Sequence, residues 1–416
     1  MNASRRPPRS ARPFLAAAAL AALLAGCTRH VASAPEPSAA WVGSWAASQQ
    51  LVEPRNLPPA PGLAGATLRQ VVHLSMGGRR LRLHFSNAFG DAAVALEAVH
   101  VALSAGGSAI RPETDRALSF GGRPSAVIAA GASVVSDPLD FALAPFTDLA
   151  VTIAFGGTAP DVTGHPGSRT TSYLAAGDGV TAAALPDAAR TEHWYVLSGA
   201  DVVADSGSAA VVVLGNSITD GRGSGTDRND RWPDDLARRL QADARTARVA
   251  VLNAGIGGNC VVRGGLGPTA LARLDRDVVA PAGARWLVVL EGVNDIGTAR
   301  GDQAIAAIAG ELIAGFQRII AVAHAHGLRA YGATILPFGG SFYDTDPARE
   351  AARQTVNRWI RTGAAYDAVI DLDAAMRDSL APARLRPDGD SGDHLHPNEA
   401  GYHIMADAID LGLFTP

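Results

Sequence analysis

The chain has 416 residues, with 36 basic and 40 acidic side chains and a net charge of −4. Hydrophobic residues make up 47% of it, which is enough to fill sizeable cores, and the length favours two domains. The basic residues are scattered and form no block, which argues against a nucleic-acid partner.

The N-terminus has the features of an export signal. Four arginines between residues 5 and 12 precede the apolar stretch Phe14–Leu24, which is too short to span a membrane as a mature helix. The sequence Leu24-Ala25-Gly26-Cys27 then resembles a bacterial lipobox, in which Cys27 is lipidated. We expect a lipoprotein signal peptide over residues 1–27, a flexible linker over 28–40, and an exported lipoprotein anchored to a membrane, periplasmic or on the cell surface. The alternative is an ordinary signal peptide with an incidental Cys27.

Residues 41–200 contain short runs of alternating apolar and polar residues, separated by clusters of Gly, Pro, Asn and Asp. In Arg80–Ser86, residues Leu81, Leu83 and Phe85 fall on one face of a strand. No long stretch has helical periodicity, so we predict an all-β, jelly-roll-like sandwich over residues 41–200. The other predicted strands are Leu68–Ser75, Leu96–Leu103, Ser125–Ile128 and Leu149–Phe155.

Two groups of side chains in this part could bind a ligand, but simpler structural roles are favoured. Trp41 and Trp45 could stack on a sugar, yet their spacing also suits packing at the edge of the domain. His73, His84 and His100 lie on separate predicted strands, where scattered histidines are more common than a metal cluster.

Residues 205–416 alternate between predicted strands and helices, which is typical of a parallel sheet covered by helices on both faces. The predicted strands are Ala209–Gly215, Arg248–Asn253, Trp286–Glu291, Leu328–Ile335 and Ala368–Leu372. The predicted helices are Trp232–Ala242, Pro268–Val279, Asp302–His326, Pro347–Thr362 and Asn398–Leu411.

Four short blocks in this second part hold the candidate chemistry. Ser217 follows the strand Ala209–Gly215, whose carboxyl end is where ligands bind in open α/β sheets. The other three blocks are Asn253–Asn259, Glu291–Asp295 and Asp393–Pro397, and they contain Gly258, Asn294, Asp393 and His396.

In order and content, these blocks resemble those of the SGNH hydrolases, also called GDSL-type esterases. Ser217, Gly258, Asn294 and His396 match the four residues of the family name, although the usual Gly-Asp-Ser-Leu is here Gly215-Asn216-Ser217-Ile218. The resemblance implies a three-layer α/β/α domain with a five-stranded parallel sheet over residues 205–416. It also implies a Ser217–His396–Asp393 triad and an oxyanion hole made by the Ser217 and Gly258 amides and the Asn294 side chain.

These residue types suit ester hydrolysis, which needs a nucleophile, a base and donors for the developing oxyanion. Asp393 lies three residues before His396, so on a tight turn it can meet one ring nitrogen while the other faces Ser217. We expect Asp220 and Asp295 to have supporting roles and not to react, and we expect no cofactor.

Three alternatives stay open at these positions. His394 could replace His396 as the base, although the spacing from Asp393 favours His396. The residues Asp388, Asp390, Asp393, His394 and His396 could bind a metal, but this oxygen-rich set does not match a closed zinc site, and we expect none. Cys260 has no partner if Cys27 carries lipid, so we expect no disulfide and a buried packing role for Cys260.

The sequence Gly43-Ser44-Trp45 at the start of the β part, together with Gly292–Gly297, resembles the xylanase-associated branch of the SGNH hydrolases. This resemblance implies a secreted serine esterase that removes acyl groups, acetyl above all, from polysaccharide. The expected partners are an acylated carbohydrate or another small ester, and a membrane through Cys27. A lipase or lysophospholipase is the first alternative, and a non-catalytic carbohydrate-binding lipoprotein is the second.

Overall fold

The structure is a computed structural model, and it describes residues 40–158 and 160–415. The predicted signal peptide, the linker up to residue 39 and the lipidation site Cys27 lie outside the described residues. The described residues belong to one unit, and the predicted domain boundary between residues 200 and 205 stays a prediction.

The first part of the described chain is built from antiparallel strands. They form three sheets, with orders β1-β16-β4-β10, β14-β13-β3-β11-β5-β6 and β15-β12-β2; β9 also pairs with β4, and β7 and β8 pair with β5. The strands are β1 (Trp41–Ala46), β2 (Gln50–Leu51), β3 (Ala66–His73), β4 (Gly78–Ser86), β5 (Val94–Gly106), β6 (Ala109–Ile110), β7 (Arg116–Ala117), β8 (Ala126–Ile128), β9 (Ser133–Val135), β10 (Leu139–Leu143), β11 (Asp148–Phe155), β12 (Thr163–His165), β13 (Ser172–Ala176), β14 (Ala189–Thr191), β15 (Trp194–Tyr195) and β16 (Leu197–Val203).

The alternation in Arg80–Ser86 correctly predicted which side chains are buried. Leu81, Leu83 and Phe85 in β4 are fully buried, because successive side chains of a strand point to opposite faces of the sheet. The prediction of an all-β first part agrees with these sheets, while the jelly-roll arrangement stays a prediction.

The tryptophans and histidines of the β part have local partners. Trp45 is buried, with its ring 4.9 Å from that of Trp194 in an edge-to-face contact, which supports the packing role. Each of the three histidines is paired with an aspartate instead of sharing a metal site. The pairs are His73–Asp148, His84–Asp201 and His100–Asp115.

The second part contains a sheet of five parallel strands with the order β18-β17-β19-β20-β21, as predicted. The chain runs from β17 to β18 on one side and then returns to β19 on the other, so the carboxyl end of β17 is a topological switch point. The strands are β17 (Ala209–Gly215), β18 (Val249–Gly255), β19 (Ala284–Leu290), β20 (Arg329–Ala333) and β21 (Ala368–Ile370).

Helices α1 to α5 lie in the connections between these strands, and α6 and α7 follow the last strand. Helix α2 packs on α7 and α4 packs on α5, while the three-layer arrangement stays a prediction. The α-helices are α1 (Ser217–Asp220), α2 (Trp232–Ala242), α3 (Val293–Thr298), α4 (Asp302–Ala325), α5 (Pro347–Thr362), α6 (Leu372–Met376) and α7 (Glu399–Asp407). The 3₁₀ turns are Pro54–Asn56, Pro112–Thr114, Ala270–Arg273, Pro387–Gly389 and Leu411–Phe414, and Asp275–Val279 is a π turn.

The prediction of a regular helix over Pro268–Val279 is wrong. The chain forms a 3₁₀ turn over Ala270–Arg273 and then a π turn over Asp275–Val279. The fully buried Arg273 is the last residue of the 3₁₀ turn and donates hydrogen bonds to the carbonyl oxygens of Gly215 and Ala254 at the ends of β17 and β18. We attribute the irregular backbone to the insertion of this charged side chain at the carboxyl ends of the two strands.

Helix α4 is the one helix in the described ranges that is long and apolar enough to cross a membrane. Its apolar face, which includes Ile308, Leu312, Phe316 and Ile319, is buried in the hydrophobic core. The core helix of a globular protein can have the same length and apolar composition as a membrane-spanning helix. The packing of α4 in the core therefore accounts for its apolar character.

Candidate active site

Ser217 is the first residue of α1, directly after the carboxyl end of β17. Asn216 caps this short helix, because its side-chain Oδ1 accepts a hydrogen bond from the Ile218 amide at 3.0 Å. The left-handed Gly221 then ends the helix. The cap and the tight turn present Ser217 at the switch point of the sheet.

The structure brings Ser217, His396 and Asp393 together although 179 residues separate the serine from the histidine. The Ser217 Oγ lies 2.8 Å from the His396 Nε2, and the His396 Nδ1 lies 2.6 Å from the Asp393 Oδ2. Since an ionised carboxylate can only accept, the His396 Nδ1–H donates to Asp393 and the Nε2 accepts from the Ser217 hydroxyl. This is the tautomer that a general base for Ser217 requires.

Asp393 remains ionised in this arrangement. Burial tends to raise the pKa of its carboxyl, but hydrogen bonds from the His396 ring and from the amides of His396 and Leu395 outweigh burial and hold the pKa well below its usual range. Both amides donate to the Oδ1, at 2.8 and 3.0 Å, which leaves the Oδ2 for the ring. The turn therefore fixes the carboxylate and the histidine relative to each other.

His394 is paired with an aspartate of its own loop, whereas the ring that contacts Ser217 is that of His396. The backbone of His394 is left-handed (φ 61°), and its Nδ1 lies 2.6 Å from the Asp390 Oδ2. Asp388 is paired with Arg386 in the same loop. Among the described residues, no group of three or more His, Cys, Asp or Glu side chains could hold a metal ion.

Two backbone amides are the predicted donors for an oxyanion, and the structure shows the backbone that carries each of them. The Ser217 amide is the first N–H of α1, where a helix has no internal acceptor to offer. Gly258 has a left-handed backbone (φ 70°), and a Cβ there would lie 3.1 Å from the Leu266 Cγ. A side chain at residue 258 would therefore be strained and crowded, which explains why this position favours glycine.

Asn294 is held in one orientation by partners on both ends of its side-chain amide. Its Nδ2 donates to the Asn259 carbonyl oxygen at 2.7 Å, and its Oδ1 accepts from the Tyr343 hydroxyl at 3.0 Å. An amide group has two N–H donors, so a second N–H remains besides the one that binds Asn259. The structure thus fixes which end of Asn294 is the donor.

Arg273 holds the backbone behind this site. Its guanidinium donates to the Gly215 carbonyl at 3.0 Å, to the Ala254 carbonyl at 2.6 Å and to the Asn259 Oδ1 at 2.9 Å. These groups come from the end of β17, the end of β18 and the loop after β18. One buried side chain therefore ties together the segments that carry Ser217 and Gly258.

The departure from the usual Gly-Asp-Ser-Leu has a local reason in Glu291. The Asn216 Nδ2 donates to the Glu291 Oε2 at 3.2 Å, and Glu291 is fully buried. An aspartate at position 216 would instead oppose a second buried carboxyl group. Burial raises the pKa of Glu291 to about 8, although Arg273 lies 3.6 Å away and acts in the opposite direction.

We predict that Glu291 makes the stability of the protein depend on pH. In the unfolded chain this carboxyl ionises near pH 4.5, whereas in the folded protein it keeps its proton up to about pH 8. The folded state therefore binds more protons in this window, so the free energy of unfolding falls as pH rises, by a few kcal/mol in order of magnitude. Glu291→Gln removes this titration, so its Tm relative to wild type should rise between pH 5 and pH 8.

Thermal unfolding of both proteins at the two pH values measures this difference. Glu113→Gln is the control, because Glu113 is exposed and its variant should keep a constant Tm difference from wild type. A Tm difference between Glu291→Gln and wild type that is the same at pH 5 and pH 8 would contradict the prediction.

Three further residues have the supporting roles expected from the sequence. Asp295 accepts hydrogen bonds from the amides of Val261 and Val262, and burial raises the pKa of its carboxyl to about 6. Asp220 is buried and faces His165 at 2.8 Å. Cys260 is a buried free thiol, and burial raises its pKa to about 12, so it packs as an unreactive group.

Sequence reasoning did not identify four residues that support the site. Asn259 directly follows Gly258 in the block Asn253–Asn259, so its position next to a predicted oxyanion donor could have indicated a supporting role. Arg273, Tyr343 and His165 lie outside the blocks, and they reach the site only through the tertiary fold.

A comparison with models of protein families gave a match to the second part of the chain. The model of the GDSL-like lipase/acylhydrolase family matches residues 213–404, a span that contains Ser217, Gly258, Asn294, Asp393 and His396. A comparison with curated protein sequences found no match.

Several solved structures resemble the same half of the chain. A lipolytic protein of the G-D-S-L family from Desulfitobacterium hafniense DCB-2 is 17% identical over 48% of this chain and 97% of its own, with a TM-score of 0.37. An acylhydrolase from Bacteroides fragilis is 19% identical over 49% and 86%, with a TM-score of 0.35. The acetylxylan esterase Axe2 from Geobacillus stearothermophilus is 22% identical over 48% and 91%, with a TM-score of 0.36. At such values these likenesses carry no functional argument, and the assignment rests on the family match and its motifs: residues 213–404 belong to the GDSL-like lipase/acylhydrolases of the SGNH hydrolase superfamily.

Proposed function

We propose that the protein is a serine esterase that removes short acyl groups, acetyl above all, from carbohydrate. The observation that carries the proposal is the hydrogen-bonded chain from the Ser217 Oγ through His396 to Asp393, with contacts of 2.8 and 2.6 Å. A serine is a strong nucleophile only when such a base lies within hydrogen-bond reach.

The proposed reaction follows from these contacts. The Ser217 Oγ attacks the ester carbonyl while the His396 Nε2 takes the hydroxyl proton, and Asp393 stabilises the imidazolium. The Ser217 and Gly258 amides and the Asn294 Nδ2 bind the oxyanion. The imidazolium then gives its proton to the leaving alcohol, and water hydrolyses the acyl-enzyme by the same steps with His396 as base.

The assignment of a short acyl group is supported by Leu266 beside Gly258. The Leu266 amide donates to the Gly258 carbonyl at 3.1 Å, and the Leu266 side chain packs next to the Gly258 Cα. This side chain limits the space beside the proposed oxyanion donor. The choice of carbohydrate rests on the resemblance of Gly43–Trp45 and Gly292–Gly297 to the xylanase-associated branch.

A lipase-type acylhydrolase is a second candidate because an apolar side chain near the proposed oxyanion donor Asn294 is exposed. Phe342 is 66% exposed, and its ring lies 4.3 Å from that of Tyr343, the partner of Asn294. Exposed apolar side chains beside a reactive serine could bind a long acyl chain.

Acyl-chain preference separates the two candidates. The proposed function predicts a higher kcat/KM for p-nitrophenyl acetate than for p-nitrophenyl palmitate, and release of acetate from at least one of acetylated xylan, pectin and xyloglucan. A preference for palmitate would reject the acetylesterase. It would favour the lipase if the preference is lost in Phe342→Ala but retained in the control Val127→Ala, which removes an exposed apolar side chain of β8.

Export and anchoring at Cys27 are also part of the proposal and rest on the lipobox-like sequence alone. Metabolic labelling with radioactive palmitate should mark the wild-type protein and not Cys27→Ser. Equal labelling of the two proteins would reject Cys27 as the anchor.

We predict that Asn294→Ala lowers kcat about 10²–10³-fold with a smaller change in KM, because one oxyanion donor is lost while the nucleophile and base remain. Steady-state kinetics on p-nitrophenyl acetate measure both constants. Tyr343→Phe is the informative partner variant, since it keeps Asn294 and removes only the hydroxyl that orients it. Unchanged kcat in Asn294→Ala would remove Asn294 from the proposed oxyanion hole.

A further inference from the structure

A buried histidine of the β part contacts the short helix that carries Ser217. The His165 Nε2, at the end of β12, lies 2.8 Å from the Asp220 Oδ1, and both side chains are at least 95% buried. Asp220 is the last residue of α1, three residues after Ser217. The two residues come from the two different parts of the chain and meet one helical turn from the nucleophile.

The orientation of the His165 ring is fixed by acceptors on both sides. The Nδ1 lies 2.8 Å from the Ser48 carbonyl oxygen, and the Nε2 faces the Asp220 carboxylate. The Nδ1 donates to the carbonyl oxygen and the Nε2 is hydrogen-bonded to the Asp220 carboxyl group, so a rotation of the ring would break two hydrogen bonds at once. The ring also stacks on Trp194, with 5.8 Å between the ring centroids.

Asp220 is confined between three glycines. A Cβ at Gly167 in the β part would collide with the Asp220 Oδ2, and a Cβ at Gly257 would lie 3.4 Å from the same oxygen. A Cβ at Gly255 would collide with the Asp220 backbone nitrogen. These contacts place the end of α1 directly between the β part and the loop that leads to Gly258.

Ser48 connects the same histidine to the proposed oxyanion hole. Its carbonyl accepts from His165, while its Oγ accepts from the Arg273 Nη1 at 3.2 Å. Arg273 in turn binds the Asn259 side chain, and the Asn259 carbonyl accepts from Asn294. The β part thus contacts the segments that carry both the nucleophile and the oxyanion donors.

We propose that His165 is a positioning residue of the active site: by holding Asp220, it sets the orientation of α1 and thereby the approach of the Ser217 Oγ to His396. The β part is then a required component of the catalytic centre. This inference rests on the proposed esterase function, because it assigns His165 a role in the reactivity of Ser217. It adds a contribution from outside the matched residues 213–404.

Variants of the full chain test the inference. We expect His165→Ala to lower kcat on p-nitrophenyl acetate about 10–100-fold with KM within about twofold, since a displacement of 1 Å at a reacting group can cost about 10²-fold. The rate of inactivation by phenylmethylsulfonyl fluoride should fall by a similar factor, because it also depends on the position of Ser217. His165→Gln, which keeps a side-chain N–H donor, should recover part of both rates.

His100→Ala is the matched control. His100 forms a 2.8 Å contact with Asp115 in the same β part and does not contact α1, so its loss should leave kcat and the inactivation rate unchanged even if Tm falls. If His165→Ala does not fold, Asp220→Ala, which removes the side chain that His165 holds, should show the same fall in kcat and inactivation rate.

Two results would overturn the inference. The first is wild-type kcat and inactivation rate in a folded His165→Ala or Asp220→Ala protein, and the second is an equal loss of rate in His100→Ala. Failure of the proposed function would look different, because Ser217→Ala would then keep the activity of wild type.

Discussion

Ser217→Ala is expected to lower kcat on p-nitrophenyl acetate by at least about 10⁴-fold, and His396→Ala by a similar factor. The Ser217 Oγ and the His396 Nε2 are 2.8 Å apart, so neither group is useful without the other. The double variant should therefore be hardly slower than either single variant. The residual rate would come from substrate binding and from the oxyanion donors, which both variants keep.

Ser224→Ala is the matched control for the serine. Ser224 lies seven residues further along, and its hydroxyl donates to the Gly221 carbonyl instead of facing a base, so we expect near-wild-type kcat. If the two losses of rate multiplied, the double variant would be about 10⁸-fold slower than wild type. Such a result would mean that Ser217 and His396 act independently. That outcome would contradict the proposed unit.

Asp393→Asn is expected to lower kcat about 10⁴-fold while the protein stays folded. The amides of His396 and Leu395 bind the Asp393 Oδ1, so in the variant the amide oxygen takes this place and the NH₂ group faces the ring. The His396 Nδ1 must then accept, which puts the ring proton on the Nε2, opposite the Ser217 hydroxyl. The nucleophile loses its base although every heavy atom can stay in place.

Asp390→Asn in the same loop is the control, since Asp390 pairs with His394 and not with the base. Its Oδ1 accepts from two backbone amides, which an asparagine can preserve, so we expect kcat close to wild type. Steady-state kinetics and thermal unfolding of the two variants make the comparison. Equal losses of kcat in both would show that the loop acts through its fold and not through the tautomer of His396.

The sequence identified those parts of the site that depend on local pattern. The apolar run Ala209–Gly215 is fully buried on both faces, and such a run predicts a central parallel strand and the place of the residue that follows it. The three-residue spacing of Asp393 and His396 is also local, since one turn sets their contact. Glycine at position 258 corresponds to a backbone that other residues rarely adopt.

The residues that support the site could not be predicted in this way, because their contacts are made by distant segments. Tyr343 contacts Asn294 from a loop 49 residues further along the chain. His165 contacts Asp220 across 55 residues, from strand β12 of the first part to helix α1 of the second. Arg273 lies in the segment Pro268–Val279, for which the sequence analysis predicted a regular helix. A buried arginine that serves three backbone segments has no signature in its own neighbourhood.

Covalent labelling of Ser217 tests the central claim most directly. The wild-type protein is treated with phenylmethylsulfonyl fluoride, and the adduct is located by mass spectrometry of peptides while activity on p-nitrophenyl acetate is followed. The proposed mechanism predicts one adduct per chain, on Ser217, appearing at the same rate as activity is lost, and none in Ser217→Ala or at the control Ser224. Loss of activity with Ser217 unmodified, or full activity with Ser217 fully modified, would contradict the assignment of Ser217 as the nucleophile.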